Sequence, residues 1–281
     1  MNRRCFVKSG LGLTSLLALG SAPFVAGQQA QAAAPARKAL PFRMGCAGYT
    51  FVKYDLDTAL QMMKRLDLHY MSLKDFHLPI NADAAKIAEV LALFKKYEVT
   101  PYAVGPIYMN TKAEVKNAFA YAKCVGVDMI VGIPKYELLP LVDELVKEYN
   151  FKLAIHIHGP DTPLFPDATD VWKHVEKLDS RIGICYDIAH TVRTGANLLE
   201  DYKKYSSRIY DMHIRDVTQA AKSGHCIEAG RGIIDFRTFF AEIAENNYTG
   251  VCSVEYEKDM TDVLPGLAET TGYFNAILKY L

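Results

Sequence analysis

From Arg43 to the end of the chain the hydrophobic pattern changes period repeatedly, from the alternation of a strand to the 3.6-residue stripe of a helix. The changes are separated by short polar or Gly/Pro punctuation. Strand-like segments at residues 43–51, 70–77, 100–109, 128–134, 152–160, 181–190, 208–217 and 250–259 are each followed by a helical one, at 56–67, 81–98, 111–126, 138–150, 168–179, 197–207, 234–247 and 266–281. Thr111 and Glu114 form a capping box at the third helix. Eight such units over about 240 residues predict an α/β fold, a (β/α)₈ TIM barrel in a single domain. An open doubly wound sheet is the alternative, but no G-x-G-x-x-G follows the first strand.

Composition narrows the partners. The 32 basic and 32 acidic side chains cancel, so no general attraction to nucleic acid or anionic lipid is expected. Residues 1–32 carry a basic start, an apolar middle and a small-residue end. Asn2-Arg3-Arg4-Cys5-Phe6-Val7-Lys8 resembles a twin-arginine export signal, with Ala30-Gln31-Ala32 resembling its cleavage site. The expectation is a cleaved leader at 1–32, a linker at 33–41 and the barrel at 42–281. The protein would then meet the twin-arginine export machinery and reside in a periplasm without a stable membrane anchor. Five cysteines remain after Cys5, an odd number in mostly apolar runs, and read as core thiols. Formation of a homo-oligomer is left open.

Parity then places the polar residues of the strands. Residues facing the outer helices should be apolar, so Leu153, Ile155 and Ile157 point out, and His156 and His158 point in. The same rule turns inward Lys74 on strand two, Asp187 on strand six and Asp211, His213 and Arg215 on strand seven. On strand eight it turns in Ser253, Glu255 and Glu257. The last four strands thus deliver acids and imidazoles at the C-terminal face, where barrel active sites lie.

One divalent metal is the economical partner for His156, Asp187, His213 and Glu255. Two nitrogens and two carboxylates suit Mn, Co, Fe or Zn more than Mg. The alternative is a set of hydrogen-bonded core histidines and of acids paired with Arg215 or Lys74. Four such groups together, without a joint purpose, would be costly to bury.

Residues 42–281 resemble the sugar phosphate isomerase/epimerase family of xylose-isomerase-like TIM barrels. The resemblance rests on Asp187-Ile-Ala-His190, His213-Ile-Arg-Asp216, Gly230-Arg-Gly232-Ile-Ile-Asp235-Phe236 and Glu255 after an apolar strand. It implies a metal on four ligands from the last four strands, and proton transfer next to a sugar carbonyl. Asp187, His213 and Glu255 match the last three ligands. Where the family has Glu-x-His, this chain has His156-x-His158. Ligand charge falls from −3 to −2, which strengthens the Lewis acid, and a metal-bound imidazole has no free lone pair on that nitrogen for a second base. Two opposed glutamates are therefore not available for epimerisation.

The expected chemistry is proton abstraction α to a carbonyl, with the metal polarising the carbonyl and holding an enediolate. Glu255, if loosely bound, is the first candidate for the base, with His158, His190 and Lys74 as rivals. Arg215 is expected to fix a substrate oxygen, and His158, Lys74 and His190 are further substrate contacts. Glu228 and His225 lie on the loop before the seventh helix, where a solvated surface is the expectation. Export favours an unphosphorylated sugar or glycoside, and the lost glutamate suits a 3-keto-glycoside 1,2-lyase. Aldose-ketose isomerisation or epimerisation is the alternative. A metal-dependent phosphodiesterase would need a basic face, and a non-catalytic sugar-binding protein would lack stoichiometric metal.

Overall fold

The computed structural model describes residues 39–281. The expected leader and most of the linker lie outside them. Eight parallel strands close into a barrel: β1 (Arg43–Ala47), β2 (Tyr70–Leu73), β3 (Thr100–Met109), β4 (Met129–Pro134), β5 (Lys152–His156), β6 (Ile182–Asp187), β7 (Ile209–Ile214) and β10 (Val251–Val254). β10 closes the ring between β7 and β1. The remaining pair, β8 (Asp216–Val217) and β9 (Cys226–Ile227), forms a small antiparallel hairpin above the barrel. Among the described residues no helix is long and apolar enough to cross a membrane.

The helices lie where the stripes predict them: α1 (Leu56–Arg65), α2 (Ala84–Tyr97), α3 (Lys112–Val125), α4 (Leu139–Tyr149), α5 (Ala168–Val175), α7 (Leu198–Tyr205), α8 (Phe236–Glu245) and α9 (Val263–Leu278). Asp55, Asp83, Asp167 and Asp235 each cap a helix by accepting from a backbone N–H three residues on, an arrangement worth about 1 kcal/mol per cap. The Thr111–Glu114 capping box is present. One short helix, α6 (Ile188–Arg193), follows β6 directly and was not expected as a separate element.

Outward residues Leu153, Ile155, Ile157, Met212, Ile214, Cys252 and Val254 are all buried. Each such side chain contributes about 1.5–3 kcal/mol by leaving water. Inside the lower barrel, small residues Ala103, Val131, Ala154 and Cys185 pack together. The reading of all five cysteines as core thiols needs correction, because Cys124 is exposed and Cys226 only partly buried. Cys124 sits off the stripe of Val115, Ala118, Phe119, Ala122 and Val125 that α3 presents to the barrel.

Register sets the depth of the polar side chains. Asp187 pairs with His213, and His213 with Ser253 on its other side. His156 pairs with Cys185, two residues before Asp187. The stagger of a closed barrel thereby brings residues of four strands to one level.

Candidate metal centre and substrate pocket

His156 ends β5, Asp187 ends β6, His213 lies within β7 and Glu255 immediately follows β10. All four are buried, and their ligand atoms lie within 4.8 Å of one another. His156, Cys185 and His213 form a second, overlapping group by the same measure. His213 Nδ1 is 3.1 Å from Glu255 Oε2, and His213 Nε2 is 3.8 Å from Asp211 Oδ2. Asp187 is divided between two tasks: Oδ1 accepts from the His190 backbone N–H at 2.8 Å, capping α6, while Oδ2 lies 2.8 Å from Arg215 Nη2.

Whether these residues fit a metal can be tested on their unsatisfied atoms. His156 Nδ1, both ring nitrogens of His213 and Asp187 Oδ2 are buried and lack a hydrogen bond of good geometry. The short contacts to Glu255 and Arg215 are out of line, so proximity there is not full satisfaction. Each such atom costs about 1–3 kcal/mol if left bare. One divalent cation among them would take His156, Asp187 Oδ2 and one ring nitrogen of His213, each residue offering one atom, and the residues fit it.

The electrostatics agree. Burial, reinforced by His213, holds His156 well below the ordinary imidazole range. For His213 burial also opposes the charge, but the carboxylates of Glu255, Asp211 and Asp187 together outweigh it and lift the imidazole to about 9. Glu255 moves the opposite way: burial would raise it, and His213 with Arg215 holds it below the usual carboxylate range. Without a cation the pair shares a proton, which a metal ion must displace, because ligands bind deprotonated. Below them Asp211, pushed up by burial to about 6, accepts from Tyr102 Oη at 2.9 Å and from Cys185 Sγ at 3.5 Å.

A cavity of about 220 Å³ opens beside this group, lined by Lys74, Tyr108, His158, His190, Arg215 and Glu257 together with Tyr49, Pro106, His156 and Glu255. The structure therefore brings every residue given a ligand, base or substrate-contact role from the sequence, apart from the deeper Asp187 and His213, to one cavity wall. Lys74 Nζ donates to the Pro106 carbonyl at 2.5 Å and pairs with Asp75 at 3.2 Å. His158 lies just beyond β5, with Nε2 3.0 Å from the Tyr108 hydroxyl, and burial lowers its pKa. His190 stands between two guanidinium groups, Nε2 2.7 Å from Arg215 and Nδ1 3.2 Å from Arg193. Burial and Arg215 push it down to about 2. Gly159 makes room for that ring: its φ is +66°, and a Cβ there would meet His190 Nδ1 at 2.8 Å.

Arg215 faces the cavity with its fork already engaged by Asp187, by Glu255 at 3.6 Å and by Glu257 at 2.5 Å. Glu257, raised by burial against the pull of Arg215, has no role in the sequence reading beyond its inward parity. Its partner could have been guessed only from register. Glu228 needs a correction: the solvated loop expected there is instead a buried carboxylate, which accepts from the Tyr256 hydroxyl at 2.8 Å and from Lys258 at 2.9 Å. His225 is exposed. The Gly230-Arg-Gly232 segment also gains a physical reason. Asp216 accepts the backbone N–H groups of Val217, Gly230, Gly232 and Ile234 at 2.8–3.2 Å, and a Cβ on Gly232 would strike its carboxylate at 2.2 Å.

Residues 47–274 match the family described as xylose isomerase-like TIM barrel, and the chain belongs to that family. An inosose dehydratase of Clostridium tetani (strain Massachusetts / E88) is 31% identical over 157 residues, 49% of either chain. The chain thus spans about half the length of the curated relatives it matches. Among solved structures, the IolI protein with a binding zinc atom superposes with a TM-score of 0.69 at 17% identity, covering 85% of this chain and 99% of that one. The 3-keto-D-glucoside 4-epimerase YcjR of E. coli gives 0.68 at 13% identity, covering 84% and 99%. At these identities the structures show the shared fold.

Proposed function

We propose that this member of the xylose isomerase-like family is a metal-dependent carbohydrate enzyme that removes the proton α to a sugar carbonyl, and that it acts as a lyase on 3-keto-glycosides. The observation that carries the reading is the convergence of His156, Asp187, His213 and Glu255, buried and incompletely hydrogen-bonded, beside a polar cavity. These four would hold one divalent ion, with zinc supported by the IolI neighbour and by the mixed set of two imidazoles and two carboxylates. When bound, the ion supplies Lewis-acid stabilisation of negative charge developing on the carbonyl oxygen.

The base is assigned among the cavity residues by what each is already doing. Glu255 is pinned between His213 and Arg215, and His190 between two guanidinium groups. His158 carries only the Tyr108 contact on Nε2 and lines the cavity. We assign it the α-proton. As that C–H bond breaks, its electron pair forms a double bond to the neighbouring carbon, whose bond to the glycosidic oxygen breaks. Lys74 stands in the same wall and returns a proton to the leaving oxygen. Arg215 holds Asp187, Glu255 and Glu257 in place.

The name inosose dehydratase supports elimination, since loss of water β to a ketone starts with the same proton. A second reading, isomerisation of a free sugar, draws on the small cavity, which at about 220 Å³ suits a single ring. Export to a periplasm, proposed from Arg3-Arg4 and Ala30-Gln31-Ala32, favours unphosphorylated substrates. Proton NMR in D₂O of the zinc-loaded protein separates the two. Release of the aglycone with an unsaturated keto sugar supports elimination, and deuterium at the α-carbon with a new isomer supports isomerisation. Neither aglycone release nor α-carbon exchange on any keto sugar refutes both.

A further inference from the structure

A second cavity, of about 400 Å³, adjoins the first. The two share His190, Arg215 and Glu257, so one wall of side chains stands between them. The outer chamber is bounded on its far side by the β8–β9 hairpin through Val217, Gly224, His225 and Cys226. No part of the proton-abstraction reading uses it.

We infer that the substrate is bipartite: the keto sugar ring occupies the chamber beside the four ligands, and a second hydroxyl-rich unit, a sugar or polyol, occupies the outer chamber across the Arg215–Glu257–His190 wall. The inference rests on the proposed reading and names its substrate class. Charge argues for hydroxyls over phosphate or carboxylate, because the chamber's cations are already spent. Arg193 is bound to Asp161 at 2.6 Å and to the Lys222 carbonyl at 2.7 Å, Lys258 to Glu228, and Arg215 to Glu257. What remains is a surface of neutralised polar groups, suited to many weak hydrogen bonds with a neutral ligand. The lining also argues against a flat aromatic aglycone. It contains no Phe, Tyr or Trp, whereas aromatic ligands are held mainly by apolar and aromatic walls. The inner chamber alone is smaller than the roughly 300–1,000 Å³ of most ligand pockets, and the outer one supplies the missing room.

The test compares kcat/KM for a 3-keto disaccharide, methyl 3-keto-glucoside and an aryl 3-keto-glucoside, with deuterium exchange at the α-carbon followed on each. The expected result is at least a tenfold preference for the disaccharide over the methyl glycoside. His225→Trp, which fills the outer chamber, should erase that preference mainly through KM. Ser223→Trp, on the same loop but outside the chamber lining, should retain it, and thermal unfolding of both variants checks the fold. Elimination or exchange on the methyl glycoside with no disaccharide preference, or with the aryl glycoside preferred, overturns the inference and leaves the proton-abstraction reading standing. Neither elimination nor exchange on any of the three overturns both.

Discussion

The rings of His156 and His213 meet inside the barrel with centroids 4.7 Å apart and planes at 48°. Neither donates to the other, and three of their four ring nitrogens are buried without a well-formed hydrogen bond. Two imidazoles so placed repel when protonated, and a cation between them turns that cost into binding energy. An ion present at 100 times its dissociation constant stabilises the native state by about 2.7 kcal/mol. For a domain of this size Tm should rise by roughly 5–10 °C on adding zinc. Calorimetry with and without a chelator reads it, and an unchanged Tm would count against the site.

Asp216 collects four backbone N–H groups and thereby folds the 230–234 segment onto the hairpin. Asp216→Ala should cost about 3 kcal/mol or more, since the donors lose a charged acceptor together. Urea unfolding measures this, and a loss under 1 kcal/mol would mean that water replaces the carboxylate easily.

Gly159→Ala combines a left-handed backbone with a Cβ only 2.8 Å from His190 Nδ1. The expected cost is about 1–3 kcal/mol. Displacement of the His190 ring should appear in its NMR resonances. A variant with wild-type stability and an undisturbed ring would show that the segment relaxes.

Glu228 contributes a pH-dependent term. Burial would raise its pKa, but Lys258 and the Tyr256 hydroxyl bring it down to about 2, from an ordinary value of 4.5. A carboxylate depressed on folding stabilises fully above its unfolded pKa and loses that contribution as the pH falls through the folded one. Glu228→Gln should therefore lower stability at pH 7 by roughly 1–2 kcal/mol, a figure reduced for the partial exposure of Lys258. The difference from the unsubstituted protein should close between about pH 4.5 and 2. A gap independent of pH would assign the effect to packing.

Much of this was legible in the sequence because both the fold and the site follow from periodicity. Alternation identified the strands, and apolar outward residues such as Ile155 and Met212 left His156 and His213 no direction but inward. The resemblance supplied the order of ligands, and the departure at His156 was visible at once. Less legible were relations that depend on register and loop closure. Nothing in the pattern pairs Glu257 with Arg215, and nothing tells Glu228 to bury itself against Tyr256, because both contacts join segments far apart in the chain. Gly230-Arg-Gly232 entered the sequence reading only as part of a family motif, and the folded hairpin shows that its backbone closes on Asp216.

The most direct test of the account is the metal content of the purified protein and of its His156→Ala variant, measured by elemental mass spectrometry alongside circular dichroism. The account predicts about one divalent ion per chain, lost in the variant by at least tenfold while the barrel remains folded. A folded variant that keeps its full complement of metal would contradict it.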